Sequence, residues 1–268
     1  MILFIFEGKC DSRFFESLKE LFFPKETEVF VCTYNSNIYC LYSKLKEYDS
    51  FVNVTSSGNT VTILNEILQR KGDDTLAEIS DTDISEIYLF FDYDFQESGL
   101  TLEENNLHIS EMLEYFKEET ANGKLYINYP MVESIRYTKE LPDKDYLNYE
   151  VTREECHGFK TLAAEFSFYN SLDHLLLPNN RNEGSEKKEQ KKQNWSHLIE
   201  INVVKANFLC SETQAYPQKK SEIKQKRIFD SQLIKYVKTA ECKVAVLNSF
   251  PLFLYDYFPS NLLGKSNS

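Results

Sequence analysis

The sequence predicts an α/β fold in which a mostly parallel sheet is flanked by helices and followed by a helical C-terminal region. Strand-like and helix-like segments alternate through the first half of the chain, as parallel sheets require. The strand-like segments are continuously apolar, which is typical of strands buried on both faces. Only 8 of the 268 residues are glycine, which disfavours a turn-rich all-β design.

Four strands and four helices are predicted in this first half. Each strand is a short apolar run that ends at polar or turn-forming residues. The strands are expected at Ile2–Phe6, Val29–Thr33, 87–91 and 124–128. Apolar residues at 3.6-residue spacing predict helices near 11–22, 38–48, 61–69 and 103–119, with Asp11 or Ser12 as a helix cap.

The alternation fades beyond about residue 140. We therefore expect a catalytic α/β domain over residues 1–140 and a mainly helical region over 141–268 that packs on it. Helical patterns cover 159–177, 195–208 and 221–238, and a last apolar segment covers 244–258. The polar segment 178–192 is expected to be a mobile loop.

Composition limits the possible functions. The net charge of −12 disfavours a protein that binds nucleic acid by charge alone. No apolar run approaches the ~20 residues that span a bilayer, and the start lacks a basic leader. The six cysteines show no CxxC pair, which is typical of free thiols in a reducing compartment. These features favour a cytoplasmic protein without a membrane partner.

Three carboxylates are expected at the carboxyl ends of two strands, where active sites of parallel sheets form. Glu7 follows the first strand, and Asp92 and Asp94 follow the third. Residues i and i+2 of a strand share a face, so both aspartates should project to the same side. Such like charges need a cation, and hard oxygen ligands suit Mg²⁺ or Mn²⁺. The pattern predicts a metal site suited to phosphoryl chemistry.

Three further residues are weaker candidates. Glu133 is a possible fourth ligand, or an acid favoured by the start of a helix. Lys9 could contact a phosphate, although a solvated turn lysine is the simpler interpretation, and Asp11 is most simply a helix cap. The histidines show no metal-ligand spacing, and neither a nucleophile elbow nor a glycine-rich phosphate loop is present.

Basic residues cluster in three short tracts of this acidic chain, at 187–192, 219–220 and 224–227. One interpretation is a surface that tracks phosphates toward the metal site. The alternative, which the interspersed glutamates favour, is a solvated loop and a charged helix face.

The segments ILFIFEG (residues 2–8) and IYLFFDYD (residues 87–94) resemble the Toprim domain of topoisomerases, bacterial primases and OLD-type nucleases, and above all the small Toprim-like effectors of phage defence. The resemblance covers residues 1–140 and implies a Toprim-like fold. It implies that Glu7 is a metal ligand or general acid/base and that Asp92 and Asp94 are metal ligands. Residues 130–133 stand where some of these effectors carry a Pro-x-x-Glu-like element.

The resemblance implies a Mg²⁺-dependent endonuclease that acts on DNA or RNA. It further implies an antiviral defence effector, of the abortive-infection kind, that works with a partner ATPase.

Three alternatives remain open at this point. A GT-A glycosyltransferase would use Asp92-Tyr93-Asp94 to bind a nucleotide-sugar through a metal, but it would leave Glu7 without a role. A phosphatase is less favoured, since its Asp-x-Asp should follow the first strand. In a non-catalytic interaction module, the acidic residues would form a surface patch. Metal titration separates this last alternative from the enzymes.

Overall fold

A computed structural model of the chain describes residues 1–47, 60–97, 99–167, 169–177 and 184–259 and confirms the predicted α/β fold. A five-stranded, mostly parallel sheet has the strand order β2-β1-β3-β5-β4. Its strands are β1 (Ile2–Phe6), β2 (Val29–Thr33), β3 (Glu86–Asp92), β4 (Lys117–Glu118) and β5 (Gly123–Asn128). Strand β1 pairs in parallel with β2 and with β3, and β4 pairs antiparallel with β5.

A row of aromatic side chains crosses one face of the sheet. The ring centroids of Phe6 and Phe90 are 5.1 Å apart, and those of Phe90 and Tyr126 are 5.3 Å apart. Phe15 covers the row from the first helix, with its ring 4.2 Å from that of Phe4. Aromatic pairs of this kind each contribute about 0.5–1.5 kcal/mol beyond the area they bury. The row fixes the register of β1 against β3, and with it the ends of both strands.

Four helices flank these strands: α1 (Lys9–Phe22), α2 (Ile38–Glu47), α3 (Thr60–Arg70) and α4 (Leu102–Tyr115). Residue 48, the predicted end of α2, lies outside the described residues. Helix α4 starts with a capping box in which the Thr101 side chain accepts from the Glu104 backbone N–H. The prediction that α4 extends to residue 119 is wrong, because the chain turns there into the β4–β5 hairpin.

The chain packs as two compact units. The first comprises Met1–Phe15, Phe23–Asp92 and Glu97–Tyr126, and the second comprises Glu16–Phe22, Tyr93–Gln96 and the described residues from Ile127 onward. The sequence-based boundary near residue 140 lies inside the second unit.

The second unit is mainly helical, with one antiparallel strand pair, β6 (Glu150–Thr152) and β7 (Lys243–Ala245). Its helices are α5 (Arg153–Cys156), α6 (Phe159–Phe166), α7 (Tyr169–Leu176), α8 (Ser185–Ser211), α9 (Gln225–Gln232), which continues into a short π-helix, and α10 (Ser249–Tyr257). The predicted helix over 159–177 is thus two helices, and the segment 244–258 contains a strand as well as a helix. None of the described helices is long and apolar enough to cross a membrane.

The predicted mobile loop over 178–192 is wrong from Ser185 onward, because these residues form the first turns of α8. Residues 178–183 lie outside the described residues. Two lysines of this tract make contacts within the second unit. Lys188 pairs with Glu20 at 2.6 Å, and the buried Lys191 donates to the Leu177 carbonyl.

One buried lysine anchors the second unit. Lys205 of α8 is 1% exposed and donates to the backbone carbonyls of Tyr146, at 2.9 Å, and Tyr149. Burial lowers the pKa of Lys205 well below its ordinary value. The Tyr149 hydroxyl donates to the Asp143 carboxylate at 3.0 Å. These bonds tie residues 143–149 to the long helix.

Candidate functional site

Glu7 lies at the carboxyl end of strand β1, which is flanked by β2 and β3. Its backbone N–H donates to the Phe90 carbonyl at 3.0 Å, and its carbonyl accepts from Asn35 N–H at 2.9 Å. Glu7 therefore continues the hydrogen-bonded ladder beyond β1, held between the ends of β2 and β3. The residue therefore lies at the carboxyl edge of the sheet, where sites of parallel sheets form.

Asp92 is the last residue of β3 and contacts Glu7 directly. Its backbone N–H donates to Glu7 Oε2 at 2.9 Å, and both side chains are half-buried. Phe6 pairs with Phe90, so Asp92 stands one position further along than Glu7. The structure thus brings together two of the three predicted carboxylate residues, through a side chain and a backbone N–H.

The expectation that Asp94 projects beside Asp92 as i and i+2 of one strand is wrong. Strand β3 ends at Asp92, and Asp94 has a left-handed backbone with φ 46°. Aspartate adopts this region more readily than most residues because its short polar side chain can bond locally. Within the second unit, Asp94 Oδ1 accepts from the Gln96 amide at 3.3 Å, and the intervening Tyr93 is fully buried.

Glu133 belongs to the second unit. It lies in the first turn of a short 3-10 helix (Val132–Arg136), is 5% exposed, and pairs with Lys160 at 3.5 Å. A buried carboxylate needs such a partner to offset its desolvation. This geometry agrees with the interpretation of Glu133 as an acid at the start of a helix.

The two weaker candidates beside Glu7 differ in their surroundings. Lys9 is exposed at the start of α1. Asp11 is 4% exposed, and a Cβ added to Gly8 would lie 3.6 Å from Asp11 Oδ2. The helix begins at Lys9, so the prediction of Asp11 as the cap is wrong. Asp11 is instead a buried acid of the first turn, next to the Glu7-Gly8 turn, where the helix dipole favours a negative charge.

Sequence reasoning did not identify Asn35 as a residue of this edge. It follows β2, has a left-handed backbone with φ 55°, and donates its N–H to the Glu7 carbonyl. The signal was available, because polar residues after the second of three parallel strands should lie at the same edge as those after the first and third.

The acidic side chains at this edge determine which divalent cation could bind there. Over the described ranges, no group of three or more His, Cys, Asp or Glu side chains is arranged to hold a metal ion. Mg²⁺ usually retains several waters and takes only one or two protein carboxylates, together with substrate phosphates. The Glu7 and Asp92 carboxylates are hard oxygen donors of the kind that such a partly hydrated ion takes.

The Toprim resemblance therefore depends on β1 with its Glu-Gly turn and on β3 with its Asp-x-Asp. Comparison of the chain with protein-family models, with curated proteins and with solved structures gives no match.

Proposed function

We propose that this chain is a metal-dependent nuclease that hydrolyses phosphodiester bonds of DNA or RNA. The observation that carries the proposal is the meeting of Glu7 and Asp92 at the carboxyl edge of two adjacent parallel strands, with Asp92 N–H bonded to Glu7 Oε2 at 2.9 Å. Catalytic groups of parallel sheets are built at this edge.

The carboxylates of Glu7 and Asp92 would hold a Mg²⁺ or Mn²⁺ ion whose remaining positions are open to water and to a substrate phosphate. When bound, the ion supplies electrostatic stabilisation of the charge that develops on the phosphoryl group. Within the chain, the Asp92 N–H fixes the direction of the Glu7 carboxylate. Glu133 is not included in this ligand set, because Lys160 already neutralises it.

By the same resemblance, we propose a cytoplasmic effector of anti-phage defence that works with a partner ATPase. The net charge of −12 favours a requirement for a partner or a cation, because a polyanionic substrate is repelled unless one of them offsets the charge.

A non-catalytic interaction module is the second candidate. The observation that favours it is that the described residues contain no group of three metal-type side chains. In that case the acidic edge would contact a partner protein directly and would bind no metal.

The test compares Mg²⁺-dependent cleavage of single- and double-stranded DNA and RNA by wild type, Glu7→Gln, Asp92→Asn and Glu114→Gln. Glu114 is an exposed glutamate of α4, so its variant removes one acid elsewhere. We expect cleavage by wild type and Glu114→Gln, and a loss of at least about a hundredfold in the other two, the usual scale for removal of a catalytic group. Calorimetric titration with Mg²⁺ accompanies each assay.

Cleavage by Asp92→Asn at the wild-type rate would reject the assigned site. Absence of both Mg²⁺ binding and cleavage in wild type, with any native partner ATPase added, would favour the interaction module.

A further inference from the structure

Lys71 lies at the end of β2, beside the edge that carries Glu7. It directly follows α3 (Thr60–Arg70) and is exposed. Its Nζ donates to the Tyr34 carbonyl at 3.1 Å and lies 4.0 Å from the centroid of the Tyr34 ring. Tyr34 is itself 1% exposed. The ammonium group is therefore held in place by a buried residue while the side chain stays accessible to solvent.

A single peptide group separates Lys71 from Glu7. The Tyr34 carbonyl that accepts from Lys71 belongs to the same peptide as the Asn35 N–H, and this N–H donates to the Glu7 carbonyl at 2.9 Å. Hydrogen bonds in such a chain polarise one another. The ammonium group and the proposed catalytic edge are thus connected through rigid backbone of the first unit.

Three other lysines of the first unit form ion pairs nearby. Lys44, Lys46 and Lys124 each pair with a glutamate. Lys71 takes part in none of the ion pairs found among the described residues, and its contacts are the Tyr34 carbonyl and ring. Partial burial lowers its pKa, but a lysine with neutral acceptors and no carboxylate partner keeps its attraction for an external anion. Phosphate is the anion that lysine binds as a point charge.

We propose that Lys71 binds a phosphate of the nucleic-acid backbone and positions the substrate strand at the edge that carries Glu7. This inference rests on the proposed nuclease function. Lys71 is a binding residue in it, and the carboxylates remain responsible for turnover. Its location gives this acidic chain a positive charge that the Tyr34–Asn35 peptide connects to the backbone of Glu7.

The experiment uses the full chain and four variants: Lys71→Gln, Lys71→Arg, Glu7→Gln and the control Lys25→Gln. Lys25 is an exposed lysine between α1 and β2. Binding of a fluorescein-labelled oligothymidylate is followed by fluorescence anisotropy at several salt concentrations with Ca²⁺, and cleavage is followed with Mg²⁺. We expect Lys71→Gln to raise Kd and KM about tenfold, the value of one charge-assisted bond, with kcat nearly unchanged. The salt slope should fall by about 1, and Lys71→Arg should restore binding.

A second measurement uses the wild type alone, so it does not depend on a variant folding. Acetylation of surface lysines by an amine-reactive reagent is quantified by mass spectrometry with and without the oligonucleotide. We expect the probe to protect Lys71 and to leave Lys25 reactive. Equal acetylation of Lys71 with and without the probe would overturn the proposal, as would wild-type Kd and salt slope in Lys71→Gln.

The two proposals fail in different ways. Loss of cleavage in Glu7→Gln with unchanged KM in Lys71→Gln supports the nuclease and overturns the role of Lys71. Probe binding that depends on Lys71 in a chain that never cleaves supports Lys71 as an anion-binding residue and overturns the nuclease.

Discussion

Replacement of Glu7 separates the structural role of its carboxylate from its charge. Glu7→Ala removes the acceptor of the Asp92 N–H, whereas Glu7→Gln keeps a carbonyl oxygen at nearly the same place. Both variants remove one negative charge next to Asp92. Comparison of their free energies of unfolding without metal therefore reports on loss of the side-chain oxygen that accepts the 2.9 Å hydrogen bond from Asp92.

The magnitude follows from the type and burial of this bond. A hydrogen bond to a charged group contributes about 1.5–3 kcal/mol, and a neutral one about 0.5–1.5 kcal/mol. Both residues are half-buried, so water can partly replace the lost acceptor and the lower values apply. Relief of repulsion from Asp92 partly offsets the loss in both variants. We expect the free energy of unfolding of Glu7→Gln to be within about 0.5 kcal/mol of the wild-type value. That of Glu7→Ala should be about 1 kcal/mol lower than that of Glu7→Gln.

Urea unfolding in EDTA, followed by circular dichroism, measures these differences, with Glu114→Ala as the matched control on the exposed face of α4. The same unfolding measurement in Mg²⁺ includes the free energy of ion binding, which stabilises only a folded chain that binds the ion. Wild type should gain stability with Mg²⁺, and both Glu7 variants should gain little. Equal stability of Glu7→Ala and Glu7→Gln in EDTA would refute the structural role that we assign to the contact.

Two further predictions concern other parts of the fold. Burial lowers the pKa of Lys205 in the folded chain below the 10.5 of an ordinary lysine, so the unfolded chain binds more protons between these values and stability rises with pH there. Urea midpoints of wild type should rise as the pH approaches about 10.5 from below. A flat profile in Lys205→Met would agree with this assignment, and an equal rise in both chains would contradict it. Gly123 has φ 115°, and an added Cβ would lie 2.8 Å from Leu89 Cδ1. Gly123→Ala should therefore lower the thermal midpoint and reduce the free energy of unfolding by at least about 2 kcal/mol. The control Gly8→Ala, whose Cβ meets only ordinary contacts, should keep a midpoint near that of wild type. Similar midpoints for the two variants would refute the argument.

The sheet was largely predictable because its signal is local. Strands β1 and β2 have the predicted bounds, and β3 differs from its prediction by one residue at each end. A continuous apolar run between polar residues has few other ways to be buried. The end of α4 was not predictable in the same way, because residues 116–119 continue a helical pattern and only pairing with β5 turns Lys117–Glu118 into a strand.

The candidate site was predictable in part for the same reason. The pairing of β1 with β3 is sufficient to place Glu7 beside Asp92. The direction of Asp94 depends on a backbone torsion that composition does not encode, since aspartate is common both in strand ends and in left-handed turns. No sequence pattern pointed to Lys71 as a binding residue. Its place beside β2 results from the contact between the end of α3 and Tyr34, and these residues are far apart in sequence.

The register of the sheet also explains why a long carboxylate suits position 7. Phe6 pairs with Phe90, so position 7 stands level with Phe91, and the nearest backbone N–H beyond the ladder is that of Asp92. The glutamate side chain spans this one-residue offset and reaches the N–H at 2.9 Å. An aspartate is one methylene shorter and would not span the offset without a shift of the strand. The parallel pairing of β1 with β3 therefore determines both which residues meet at the carboxyl edge and the length of the side chain that joins them.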